Sequence, residues 1–216
     1  MFLGHYGVAF GGKTVARKPS LGTFILAAQL ADLIWPILLL AGVERVRIVP
    51  GLMAASPMDF TYYPFTHSLA TQALAGAVFG AVYFALRKDG RGALLLGAAV
   101  VSHWFLDLLV HRPDLPVWPG GPKLGFGIWN SVALTLLAEA LVFGGGLYLY
   151  LRATTARDRI GSWALWSLVA LLVASYAAAS LETPPADPGP MAISALVLWL
   201  FVPWGYWIDR HRQPRE

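Results

Sequence analysis

The chain contains no cysteine. That absence excludes disulfides, thiolate metal ligands, cysteine-attached haem and a cysteine nucleophile. Charge is scarce too: Asp, Glu, Lys and Arg make up 13% of the 216 residues, against about 25% in ordinary soluble domains. Apolar types fill 57% and the mean hydropathy is +0.59. A soluble domain with this composition would expose apolar patches that aggregate, so the sequence reads as an integral membrane protein. Its net charge of +4 does not point to nucleic acid, because the basic residues stand in small groups between apolar runs. The partners this composition predicts are membrane lipids.

A hydrocarbon core about 30 Å thick takes about 20 apolar residues in a helix. Six stretches meet that length: 20–43, 65–86, 92–111, 128–151, 161–181 and 190–208. Strong breakers separate them, among them Pro50-Gly51, Asp89-Gly90, the run Trp118 to Pro122, and Pro184-Pro185. Strand-like alternation is absent, which argues against a β-barrel. The fold expected is an all-α bundle of six transmembrane helices in a single domain. Residues 1–16 are apolar but too short to span, and Gly11-Gly12 would weaken a helix there. They read as a short half-helix, re-entrant or interfacial, dipping in from one face.

Orientation follows from the Lys and Arg in alternate loops. One side carries Lys13, Arg17, Lys18, Arg87, Lys88, Arg91, Arg152, Arg157, Arg159, Arg210, Arg212 and Arg215; the other carries Arg45, Arg47, Arg112 and Lys123. The bias predicts that both termini face the cytoplasm.

Ionisable side chains inside a span cost about 2.5–3.5 kcal/mol each on insertion scales, so the few present mark candidate sites. They are Asp32, His67, His103, Asp107, His111 and Glu139, with His5 in the N-terminal segment. His103, Asp107 and His111 recur every four residues and share one helix face. At 1.5 Å per residue from the basic clusters, Asp32, His103, Glu139 and Asp107 lie about 18–24 Å deep and His67 about 30 Å. His5, reckoned from Lys13, is the shallowest at about 12 Å. Pro36 frees the carbonyl of Asp32, which predicts a kink in that stretch. Imidazoles and carboxylates without sulfur suit zinc, with manganese or iron as alternatives. Glu139 is a candidate general base, or a residue that orients a ligand histidine from behind. The bland expectations are that His111 is a hydrogen-bonded interfacial residue, Asp114 begins a turn, and His211 lies in a solvated tail.

Four short motifs, Gly4-His5, Gln29-Leu30-Ala31-Asp32, Phe65-Thr66-His67-Ser68 and Ser102-His103-Trp104-Phe105-Leu106-Asp107, resemble those of a bacterial family. It is the family of predicted inner-membrane metal-dependent hydrolases, which includes a LexA-regulated member. The resemblance covers the first half of the chain, to Asp107. It implies a divalent-metal site built by Asp32, His67, His103 and Asp107, with His5 joining. The acidic motif departs from the family pattern, with Gln29 and Ala31 where proline and a second acid are common. One fewer carboxylate would mean one metal in place of two, or a lost hydrolytic function.

Three functions follow as expectations. The first is a membrane-embedded metal-dependent hydrolase of a lipid or other amphiphilic substrate, with Asp32 and Glu139 as catalytic residues. In it, segment 112–127, with Arg112 and Lys123, would cover the mouth and meet an anionic head group. The second is a metal-ion or proton-coupled transporter; no matched pair of broken helices supports it, and so small a bundle would suit a homo-oligomer. The third is a scaffold in which the polar cluster only locks helices together.

Overall fold

A computed structural model describes residues 1–215 of the chain. The architecture is helical, with three small two-stranded pairings at its ends. Helix α1 (Leu3–Val15) is followed by α2 (Leu21–Ala28) and α3 (Leu30–Leu40). A hairpin, β1 (Arg45–Ile48) with β2 (Met58–Tyr62), leads into the single turn α4 (Pro64–His67) and the long helices α5 (Leu69–Arg87) and α6 (Gly90–Val110). The pair β3 (Leu115–Pro116) and β4 (Lys123–Leu124) precedes a 3₁₀ turn, Ile128–Asn130, and α7 (Val132–Ala153). Strand β5 (Thr154–Ala156), α8 (Arg159–Leu181), α9 (Pro188–Ala195), a 3₁₀ stretch Leu196–Leu200, α10 (Phe201–Arg210) and β6 (Arg212–Pro214) complete it.

Five segments are long and apolar enough to cross a membrane: α5, α6, α7, α8 and the composite Pro188–Arg210. The bent pair α2–α3 makes a sixth. The expected kink is present but displaced. The chain bends by 51° between α2 and α3, at Gln29, while α3 runs on through Pro36. The second expected span is also divided: α4 stops at Ser68, whose extended backbone and side chain cap α5. In the last span Pro203 has no amide to offer the Trp199 carbonyl, and the residues before it tighten into a 3₁₀ stretch.

Helix α1 is not an appendage. Tyr6, Ala9 and Phe10 are fully buried, and the helix packs against α7, α2 and α6 in the middle of the bundle. Gly11-Gly12 does not break it. Small residues instead let its backbone approach α7: a Cβ on Gly146 would lie 1.9 Å from the Gly7 carbonyl oxygen. Close backbone contact of this kind is a common way for membrane helices to associate.

The tail also departs from expectation. His211 donates to Asp158 at 2.7 Å, and β6 pairs with β5. The His211 hydrogen bond, helped by the Gly161 amide, holds the Asp158 carboxyl below its usual range. Helix α6 separates Arg91 from Arg112 by about 30 Å, so the large basic group and the hairpin β1–β2 lie at opposite ends.

Candidate metal centre

Five of the residues singled out in the sequence converge in the bundle. His5 stacks on His103, ring centroids 3.7 Å apart and 5° from parallel. The His5 Nε2 lies 3.2 Å from Asp107 Oδ1. His103 Nε2 is 3.3 Å from Asp107 Oδ2 and 3.6 Å from Asp32 Oδ1. His67 Nε2 is 3.4 Å from Asp32 Oδ1 and 3.8 Å from Asp107 Oδ2. Two sets of ligand atoms, His5–His103–Asp107 and Asp32–His67–His103, are each close enough to hold one metal ion, and they share His103. The amino nitrogen of Met1 also contacts Asp107. All five residues are buried except Asp32, whose side chain is 22% exposed.

Two ring hydrogens can be placed by elimination. His103 Nδ1 lies 2.9 Å from the Ala28 carbonyl oxygen, which can only accept, so Nδ1 carries a hydrogen and, in the neutral ring, Nε2 is the ligand atom. The break at Gln29 makes this possible by releasing the carbonyl at the end of α2. His67 Nδ1 lies 2.7 Å from Thr66 Oγ1. That hydroxyl gives its one proton to Glu44 Oε2 at 2.6 Å, so it accepts from His67 Nδ1 and, in the neutral ring, Nε2 is the ligand atom. His111 repeats the pattern: Nδ1 bonds Asp114 Oδ1 at 2.9 Å, and Nε2 points toward Asp107 Oδ2 at 3.9 Å.

Three histidines therefore have Nδ1 anchored outward and Nε2 turned toward the acids. Metal-binding histidines are held this way, by a carboxylate, carbonyl or water on the other ring nitrogen. The Nε2 of His103 and both ring nitrogens of His5 are buried without a hydrogen-bond partner among the described residues. Such atoms are costly unless something supplies the missing bond, and a divalent cation would do so. The donor set, nitrogen and oxygen with no sulfur, fits zinc, manganese or iron.

The depth reckoning underestimates His5. Lys13 reaches past the end of α1 to the carbonyls of Arg17 and Pro19. Measured from the end of α1 at Val15, His5 is about 15 Å deep, and its stacking on His103 puts it level with the others. Glu139 is not among the ligand atoms. Its two oxygens accept from the amides of Phe2 and Gly4, each at 2.7 Å, and so cap the start of the helix that carries His5. Asp114 does more than begin a turn: it is buried and bonded to His111, to Tyr63 Oη at 3.2 Å and to Arg112 Nε at 3.1 Å. Arg112 is thereby paired with Asp114 and with Asp59, and is not a free cation for a head group. Trp35 does flank the cluster, edge-on to His67 at 6.3 Å, whereas Trp104 Nε1 bonds the Pro116 carbonyl.

Sequence reasoning missed Glu44. It is fully buried and accepts from the amides of Phe65 and Thr66 and from the Thr66 hydroxyl. An acid in a connecting loop carries no signal of its own, because loops accept acids freely.

Comparison with protein-family models, with curated proteins and with solved structures found no match to this chain. The family resemblance therefore stands on the motif residues alone.

Proposed function

We propose that this chain is a membrane-embedded metal-dependent hydrolase acting on a lipid or other amphiphile, a phosphoester being one bond class it suits. The reading places it in a bacterial inner membrane with both termini cytoplasmic, which the bias of basic residues supports. Zinc is the favoured ion, with manganese or iron next. One observation carries the proposal: His67 and His103, each held through Nδ1, turn Nε2 toward Asp32 and Asp107 within an apolar bundle. A divalent ion held there would act as a Lewis acid and bring a bound water's pKa to about 7.

The chain's own residues would divide the work. The triads His5–His103–Asp107 and Asp32–His67–His103 would hold the ion or ions. Asp32 is the one partly exposed member; it faces His67 and His103 through Oδ1, and its Oδ2 would take a proton from water. The Glu44–Thr66 pair fixes the His67 ring. Glu139 positions His5 through α1 and leaves the base role to Asp32.

A hydrogen-bonded lock is a weak alternative. Interhelical hydrogen bonds in membranes average about 0.6 kcal/mol, and this cluster leaves ring nitrogens unpartnered. A cation permease has one specific observation in its favour, the helix breaks at Gln29 and Ser68. They flank Asp32 and His67, and broken helices commonly line transport sites. The two are separated by assaying purified protein on lipid and phosphoester substrates, before and after chelation, beside ion flux in sealed vesicles. Turnover lost on chelation and restored by zinc or manganese supports the hydrolase. Turnover that survives full metal removal overturns it, and flux without turnover favours the permease.

A further inference from the structure

The basic face holds a second polar site, far from the metal cluster. A cavity of about 200 Å³ opens where α1, α7 and α10 end, and Lys13, Arg17, Thr154, Arg157, Asp209 and Arg212 line it. Its one acid is already engaged: Asp209 Oδ2 accepts from Lys13 Nζ at 3.0 Å and from the Leu21 amide at 2.7 Å. Among the described residues neither Arg17 nor Arg157 has a carboxylate within 4.0 Å, and both are exposed. A second cavity adjoins it across Arg17 and is lined by Lys18, Arg91 and Asp89.

Arg212 distinguishes this face from an ordinary cytoplasmic rim. It is only 8% exposed. Its Nε and Nη2 donate to Thr154 Oγ1 at 3.1 and 3.0 Å, Nη2 to the Thr154 carbonyl at 3.1 Å, and Nη1 to the Gly161 carbonyl at 3.3 Å. Its guanidinium lies over the Tyr150 ring at 5.4 Å. All these partners are neutral. Four of the five guanidinium N–H groups are used in these bonds, and the fifth, on Nη1, has no carbonyl or carboxylate acceptor among the described residues. Asp209 is the acid in the same cavity, but it bonds Lys13 and the Leu21 amide and makes no ion pair with Arg212; a buried cation without a paired carboxylate is costly, and an anion in the cavity would supply that pairing. The pairing of β5 with β6 holds Arg212 there.

We propose that this cavity binds the phosphate of a net-anionic membrane lipid. Phosphate suits a planar guanidinium flanked by two further arginines. The helices that reach the cavity carry exposed apolar and aromatic side chains near their ends, Leu149, Tyr206 and Trp207, against which acyl chains can lie. Basic pockets between membrane helices take anionic head groups by this chemistry. The site is independent of the metal cluster and stands whether or not the hydrolase reading does.

The test is lipid binding to the full-length protein in a neutral detergent, read by native mass spectrometry with phosphatidylglycerol, phosphatidylcholine and inorganic phosphate as separate probes. Phosphatidylglycerol is expected to bind at least about tenfold more tightly than phosphatidylcholine, with inorganic phosphate a poor competitor. The double variant Arg17→Gln/Arg157→Gln, both residues exposed, should weaken it about thirtyfold. That corresponds to about 2 kcal/mol at 1.4 kcal/mol per tenfold. Arg87→Gln/Lys88→Gln, on the same face but lining neither cavity, should leave it unchanged. Equal losses in the two double variants would reduce the effect to a general surface field and overturn the site. Inorganic phosphate competing as well as the lipid would overturn the lipid assignment.

Discussion

Helices α6 and α8 are nearly the same length, 21 and 23 residues, and an 18-residue stretch of each has the same mean hydropathy of 1.9. Their buried faces differ in one respect. In α8 the buried residues are Gly161, Ala164, Leu165, Leu168, Val169 and Leu172; α6 buries Gly92, Ala93, Leu96, Ala99 and Val100 in the same way and then adds His103 and Asp107. Hydropathy records that both can span and cannot register which of them holds chemistry. The information lies in the two polar residues that α6 tolerates at an insertion cost that hydrogen bonds alone do not offset.

The sharpest way to break this comparison is to mutate each helix on its buried face. Leu168→Ala in α8 should lower the melting temperature through lost packing and leave metal binding intact. His103→Ala with Asp107→Ala should abolish metal binding, read by isothermal titration with zinc. A metal loss in the α8 variant as large as in the α6 variant would mean that general stability holds the cluster together.

The next largest effect belongs to α1, which brings His5 to the site from outside the six spans. Gly146→Ala would force α7 away from the Gly7 carbonyl and should weaken metal binding about tenfold or more by displacing His5. Gly144→Ala, where nothing lies within 4 Å of the new carbon, should match the unaltered protein. Equal affinities for these two variants would show that α1 contributes nothing to the ligand set.

Glu44→Gln should act at one remove. It weakens the acceptor behind Thr66 and should lower metal affinity about 10- to 100-fold, as the loss of groups behind the ligands commonly does. Thr66→Val should give a similar loss by cutting the same chain. At the small end, Phe105→Leu, on the lipid side of α6 and 53% exposed, should change neither melting nor metal affinity.

Much of this was legible in the sequence because membrane helices leave few polar residues to interpret. Asp32, His67, His103 and Asp107 stood out by cost alone, and the structure gathers them with His5. The six apolar stretches emerge with shifted edges. What was hidden depends on where chain segments fold back. Gln29 has no breaker character, so nothing in the sequence marked the bend that frees the Ala28 carbonyl for His103. Glu44 and Asp114 looked like loop acids until the fold buried them against Thr66 and His111. Arg212 looked like part of a solvated tail, and only the pairing of β6 with β5 shows it buried. Lys13 gave a false depth for His5 because its side chain reaches beyond the end of its own helix.

The central claim is that two overlapping His/Asp triads form a metal centre. Metal content by inductively coupled plasma mass spectrometry, on full-length protein purified in detergent and reconstituted with zinc or manganese, tests it most directly. The account predicts about one or two ions per chain, as two triads sharing one histidine allow, and none in the His103→Ala/Asp107→Ala variant. No metal in the unaltered protein after reconstitution, or equal metal in both proteins, would contradict it.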